Sequence, residues 1–410
     1  MKLSEYQKDA FLAWMYAERY VNDGSPSGFT HYGSVDPEYC PGGNEGSFGL
    51  PVYAMGREEV TAIGNPSAMW QDLGIHDAGG SVPFPIHPAV LLDLKNHEAL
   101  RRNEAVKVVG AIPTASVRTV AVRNNDGASF WKLHFPRTIG RFVRDLPLYK
   151  WLASIDTSRE IVELLSSAPK CMAVLPVIGG VFLEGGAGIA GFGAIQRSAI
   201  PYPEKQGAAF MIPCFSLWSK DRTRNGDATM LRQLISKYDY TALQAIESFV
   251  GPILRSYRYL AVECGMIPEY NAQNVLFEIQ PDSGLIRVVH RDMCDVFKDS
   301  AARPLARKRV HPLATYHTTG DGDYGDLFAR RSFAYDFKLS QYVLDPMVNE
   351  IADCCGHVVG ELKEDVKRMA HDIVAWPADY FESSCTGYCY PRKGDVGRNS
   401  YEVLEVVDYR

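Results

Sequence analysis

Apolar residues recur along this chain with two periods, and the switches between them mark its elements. Between Val106 and Phe135 the pattern alternates: VKVVGAIPTASVRTVAV, an Asn-Asn-Asp-Gly turn, then SFWKLHF. Alternation puts successive side chains on opposite faces. It predicts a β-hairpin with Ser116, Arg118 and Thr119 on one arm and Lys132 and His134 on the other. Two further apolar runs, Val275 to Ile279 and Leu285 to Val289, flank Pro281-Asp282-Ser283-Gly284 and predict a second hairpin. That hairpin brings Asn274 at its entrance close to Arg291 and Asp292 at its exit. Residues 227–264 change to helical spacing, with Leu231, Leu234, Ile235, Ile246, Phe249, Val250, Ile253 and Leu254. Gly251-Pro252 predicts a break or kink there, and Gly265 a C-cap. Residues 1–20, 157–168, 336–352 and 358–374 also read as helices. RTIGRFVRDLPLYKWL reads as a helix entry that groups Arg137, Arg141 and Arg144. Residues 22–80, rich in Gly, Pro, Asn and Ser, read as loops with short elements.

Composition narrows this picture. A chain of 410 residues affords a large core and two or three subdomains. Hydrophobic content of 46% and charged content of 22% are ordinary for a globular protein, and a net charge of -6 disfavours a nucleic-acid partner. The most apolar stretch, Cys171 to Ile195, carries seven glycines and Glu184. It predicts strands broken by glycine turns, not a membrane helix. The opening residues mix acids with apolar positions, unlike a signal peptide. Nine scattered cysteines then suggest reduced thiols in a cytoplasmic setting.

Carboxylate and amide oxygens beside a cation, as at Asn274, Arg291 and Asp292, suit a magnesium–nucleotide site. Blander readings stand beside this one. Arg291 and Asp292 form an ordinary ion pair in one, Asn271 and Gln273 are turn-formers in another, and His87 between Pro85 and Pro88 is structural. Cys354-Cys355-x-His357 and Cys385-x3-Cys389 fit buried thiols better than a zinc or iron–sulfur site.

The order of short motifs is more informative than any one of them. PIHP at Pro85 to Pro88 precedes SVRT at Ser116 to Thr119, then Lys132-Leu133 and Arg144. Much later come Gly265, Glu269, Gln273 and Asn274, and finally Arg291-Asp292. This succession resembles the aerobactin-synthetase (IucA/IucC) family, ATP-dependent ligases that build siderophores without a peptide-synthetase assembly line. LEGGAGIAGFGAIQR, with Glu184 and Arg197, resembles the family's middle region.

The resemblance implies an α+β fold shaped as a cupped hand, with antiparallel sheets, a helical C-terminal region and a truncated thumb. It implies a thumb-like region over residues 1–80, fingers over 81–225 and a palm over 226–410. Ser116, Arg118, Thr119 and Lys132 would then contact ATP phosphates. Gln273, Asn274, Arg291 and Asp292 would hold nucleotide from the palm, with Asn274 and Asp292 on Mg2+. Arg144, Lys132 and Asn271 would serve the reacting groups. The substrates implied are a small carboxylic acid and an amine or alcohol, and a homodimer is a family expectation.

Several positions depart from the family pattern. Its loop histidine is Asn271 here, its Thr falls on Gly140, and Trp-Gln after His-Pro is Ala89-Val90. Two other readings therefore stay open. One is a kinase-like phosphotransferase on His290-Arg291-Asp292, although Phe297 sits where a kinase places Asn. The other is a ligase-derived binding or regulatory protein.

Overall fold

The computed structural model describes all residues except 23–34, 44–45, 77–78, 95–96, 140–141, 187–189, 208, 225, 300, 306–326, 379, 382–386, 392–400 and 406. Gly140, Arg141 and Cys385 thus lie outside the described residues. The class is α+β, as expected, with mostly antiparallel sheets and a helical C-terminal region. Contacts divide the chain into two compact units. The sheet unit is Phe29–Glu163 with Leu175–Glu204, and the hairpin unit is Met1–Gly28, Leu164–Val174 and Lys205–Arg410.

In chain order the strands are β1 (Phe48–Met55), β2 (Val60–Ile63), β3 (Val82–Pro85), β4 (Ala105–Pro113), β5 (Thr119–Arg123) and β6 (Ala128–Leu133). Next come β7 (Phe135–Ile139), β8 (Phe142–Arg144), β9 (Met172–Val174), β10 (Val177–Leu183), β11 (Phe192–Ser198) and β12 (Phe210–Pro213). Then follow β13 (Met266–Ile267), β14 (Val275–Ile279), β15 (Ile286–His290) and β16 (Phe297–Lys298).

The sheet unit is built on eight strands in the order β2-β10-β11-β6-β5-β4-β1-β3. The Asn-Asn-Asp-Gly turn joins β5 to β6 as predicted, with Asn124 Oδ1 accepting from the amides of Asp126 (2.8 Å) and Gly127 (2.9 Å). The first arm, however, is two strands. β4 stops at Pro113, and Thr114 to Arg118 turn the chain into β5. Ser116 and Arg118 therefore sit in a turn and share no strand face. β1, β2 and the helix Pro66–Asp72 arise from the stretch read as loops with short elements. Gly49 and Pro51 hid β1, although Leu50, Val52 and Met55 are fully buried. The expected helix entry is instead the β7–β8 hairpin, and the helix starts at Leu148, just after Pro147.

Gly185, Gly186 and Gly191 fall between β10 and β11, as the expected strand breaks, but three other glycines of the apolar stretch do not. Gly179 and Gly180 lie within β10 and Gly193 within β11, not at turns. Gly180 and Gly193 clear a bed for Trp151, whose Nε1 donates to the Ala194 carbonyl at 3.1 Å. A Cβ on Gly193 would come within 2.5 Å of Trp151 Cδ1, and one on Gly180 within 2.9 Å of its Nε1. An indole cannot lie flat against a sheet where a side chain already stands.

The hairpin unit centres on the mixed sheet β12-β14-β15-β9, in which β9 runs parallel to β15. The long helix breaks at Asp239, not at Gly251-Pro252. Asp239 takes φ +51, and Thr241 and Gln244 form a reciprocal capping box that starts Ala242–Tyr257. Pro252 stays inside that second helix. Gly265, at φ +62, follows its end as predicted. Among the described residues no helix is long and apolar enough to cross a membrane.

Gly193→Ala should lower stability by about 1–3 kcal/mol, because Trp151 and the Val181 carbonyl leave no room for a methyl group. Gly110→Ala, where a Cβ meets nothing within 4 Å, should be neutral or slightly stabilising. Urea midpoints of the two variants measure the contrast.

Candidate functional site

β14 and β15 pair from Val275 with His290 to Ile279 with Ile286. One step beyond the ladder the Arg291 amide donates to the Asn274 carbonyl at 3.0 Å. Asn274 and Arg291 therefore close the open end of the hairpin, and Asp292 follows with φ +76. A non-glycine residue in that region stores backbone strain, which persists only where surroundings enforce it. His290 anchors the strand from inside. Its Nε2 lies 2.6 Å from Ser256 Oγ, and burial pushes its pKa down to about 3.

The loop before β14 is folded by its own side chains. Asn271 Oδ1 accepts from the amides of Gln273 (3.0 Å) and Asn274 (2.9 Å), an Asx turn. The residue expected at the reacting groups thus shapes the loop through its oxygen. Glu269 reaches across this turn. One carboxylate oxygen accepts from Asn274 Nδ2 at 2.9 Å, and the other accepts from Lys338 Nζ at 2.9 Å. Lys338 was not singled out in the sequence. A lysine inside the apolar run FAYDFKLSQY was the available signal, since a buried lysine requires a partner.

Arg291 was expected at a nucleotide. Its Nε donates to the Gln273 carbonyl at 2.7 Å, and both amino groups bond to Glu18 on the helix Ala10–Tyr20. Glu18 is fully buried and also accepts from Trp14 Nε1 at 3.3 Å. The guanidinium fork is occupied within the fold, where it fastens the N-terminal helix to the hairpin.

In the sheet unit the Thr114–Arg118 turn carries a second strained residue, Val117, at φ +62. A β-branched side chain rarely tolerates this region. Thr114 Oγ1 donates to the Thr119 carbonyl at 2.6 Å, and Ser116 Oγ accepts from the Thr119 amide at 3.1 Å. Lys132, buried, lies opposite Thr119 in the β5–β6 ladder. Arg118 Nη1 donates to the carbonyls of Arg144 (2.8 Å) and Asp145 (2.9 Å). The unit thereby gathers Ser116, Arg118, Thr119, Lys132 and the backbone of Arg144. His134, expected on the same arm as Lys132, accepts from the Leu146 amide at 3.0 Å; burial, the largest cause, holds its pKa down at about 4.

His87 has the structural role that its prolines suggested. It caps a short helical turn, its Nδ1 accepting from the Ala89 amide at 3.2 Å, within the rings of Tyr39, Phe48 and Phe135. Burial, aided by Arg137, depresses its pKa to about 3. Among the described residues no three His, Cys, Asp or Glu side chains form a metal-binding group. The Cys354 thiol, pushed up to about 12 by burial and by Glu350, bonds to that carboxylate at 3.4 Å.

No protein-family profile and no curated protein sequence matches the chain. Solved structures do match. ATP-bound aerobactin synthetase IucA from a hypervirulent pathotype of Klebsiella pneumoniae gives a TM-score of 0.66 at 14% identity, over 90% of this chain and 73% of that one. Petrobactin biosynthesis protein AsbB from Bacillus anthracis str. Sterne gives 0.63 at 14%, over 88% and 66%. Aerobactin synthetase IucC from the same Klebsiella pathotype gives 0.58 at 15%, over 84% and 68%. The chain thus spans about two thirds of the length of AsbB. Its fold is that of the siderophore synthetases, and the family-level resemblance read from the motifs is borne out in the fold.

Two outcomes are expected. Glu18→Ala, which leaves Arg291 buried without its carboxylate, should cost about 3–5 kcal/mol in denaturant unfolding. His87 is neutral in the fold down to about pH 3 but protonates near 6.5 when unfolded. Its contribution is complete above pH 6.5 and is lost as the pH falls toward 3, so stability should drop through that window. His87→Asn keeps a capping acceptor, and the pH slope of its melting temperature should be shallower than that of the parent.

Proposed function

We propose that the chain is an ATP-dependent ligase that adenylates a small carboxylic acid and passes its acyl group to an amine or alcohol, in the making of a siderophore or related natural product. One observation carries this reading beyond the shared fold. The hairpin brings Asn274 and Asp292, both oxygen donors, to its open end, where Asn274 pairs with the residue before Asp292 and the backbone at Asp292 is held in a strained conformation. Such strain, where neighbours enforce it, marks functional positions. Magnesium takes one or two protein oxygens and completes its shell with phosphate and water, so this small donor set fits it. Bound there, the ion would neutralise phosphate charge.

The chain's own groups supply the rest. Ser116, Thr119 and Lys132 would meet phosphate oxygens, Lys132 as a point charge. Arg118 holds the backbone that carries Arg144, and Arg144 would bind the acid's carboxylate as a fork. In the first step a carboxylate oxygen bonds to the α-phosphorus and pyrophosphate leaves. In the second the amine or alcohol bonds to the acyl carbon, AMP leaves, and the nucleophile gives up its proton. Cations already fixed in place stabilise the charge that builds in the first step without reorganising.

Asn271 supports a second reading. Its oxygen is committed to the loop turn, and the histidine of the family pattern is gone. A protein that binds nucleotide without joining substrates fits that replacement.

The ligase should show acid-dependent ATP–pyrophosphate exchange with a member of a panel of citrate, succinate, ketoglutarate and amino acids. Heat on binding Mg·ATP with no exchange across the panel would favour the second reading, and no heat at millimolar nucleotide would exclude both. Asp292→Asn tolerates the left-handed backbone while removing the charge, and should weaken Mg·ATP binding at least about tenfold.

A further inference from the structure

The Asn274 side chain has one orientation that its neighbours permit. A carboxylate accepts hydrogen bonds and donates none, so the atom 2.9 Å from Glu269 Oε2 must be the amide nitrogen. Its Oδ1 then points away from Glu269 and accepts no hydrogen bond from the described residues. Without that acceptor the amide could turn over and present its NH2 instead. An amide nitrogen bearing two hydrogens cannot ligate magnesium.

Lys338 holds the carboxylate in place. Its ammonium lies 2.9 Å from Glu269 Oε1, and its side chain is 10% exposed against 24% for Glu269. A pair so far out of water interacts more strongly than a surface pair. Lys338 comes from Phe333–Leu344, a stretch of π-helical turns, where its amine also lies 5.7 Å from the Phe333 ring. Widened turns of this kind are uncommon and are found often at functional sites.

Resting on the ligase reading above, we infer that Lys338 and Glu269 form a positioning pair that fixes the Asn274 amide with its oxygen toward the metal. Neither touches the reacting atoms. Lys338 holds the Glu269 carboxylate in place, Glu269 takes the amide's N–H, and Asn274 Oδ1 is left facing outward as a ligand for the magnesium of Mg·ATP. The arrangement follows a general habit of metal sites, in which partners behind the ligand set its orientation and their loss weakens the metal by 10–100-fold.

Calorimetry with ATP in the presence and absence of Mg2+ tests this on the full chain. Lys338→Met keeps the aliphatic stem and removes the charge. It should raise the Mg2+ concentration needed for half-maximal nucleotide binding by about tenfold, leave the affinity for metal-free ATP unchanged, and be restored by Lys338→Arg. A Lys338→Met protein that loses metal-free ATP binding equally would make the pair a structural staple and overturn the inference. Unchanged Mg2+ dependence would overturn it too. Should that variant fail to fold, Glu269→Gln carries the same test. Its amide can donate to Asn274 as readily as accept, so the orientation is no longer forced and the same selective loss is expected. A parent chain that binds no Mg·ATP would remove the ligase reading itself, an outcome distinct from a parent that binds and a Lys338→Met variant that binds equally well.

Discussion

A guanidinium taken out of water must find a carboxylate, and the hairpin unit is arranged around that requirement at Arg291. Glu18 supplies the carboxylate from a helix at the other end of the chain, and the Gln273 carbonyl takes the remaining Nε–H. Removing either partner leaves the other charge buried and uncompensated, which is far more costly than the pair is favourable. The constraint fixes more than a helix. With Arg291 pinned, the end of β15 cannot slide against β14, and Asn274 and Asp292 hold their places on either side of it. The candidate site is thus precise because a residue expected to bind ligand is fully engaged by the fold.

Both motif stretches show how geometry is set one layer behind the groups of interest. The Ser116 turn is braced by Thr114, by the strained Val117 and by the ladder opposite Lys132. The loop before β14 is braced by the Asn271 turn and by Glu269. Short polar side chains that bond to their own backbone make such turns rigid without a large core.

What the sequence disclosed follows from the range of each signal. Turn chemistry is local, so Asn124 to Gly127 and Pro281 to Gly284 announced their hairpins, and the helix Val359–Val374 announced itself by its period. The capping box at Thr241 was also legible, but Pro252 drew attention to a kink that the helix accommodates. Features set by distant partners were hidden. Nothing near Gly193 reveals that Trp151 will lie on it, and nothing near Arg291 reveals Glu18. Alternation across residues 106–122 concealed a turn, because Thr, Ala and Ser suit a strand and a turn alike. Lys338, too, required the fold, because its partner Glu269 lies 69 positions away.

The hairpin unit is assembled from three separated lengths of chain, and this has a consequence for the order in which a growing chain can be completed. β9 must lie parallel beside β15, more than a hundred positions later, and the helix Ala10–Tyr20 must wait for β12 and then Arg291. Trp14, Met15 and the carboxylate of Glu18 are therefore made first and buried last. Loop-closure entropy makes such distant pairings slow, and apolar surface left open in the interval is where chains associate wrongly. The sheet unit, which holds Ser116 and Lys132, is complete by residue 204, before β12, β14 and β15 are made. The helix Ala10–Tyr20 then closes a unit most of whose residues are made long after it.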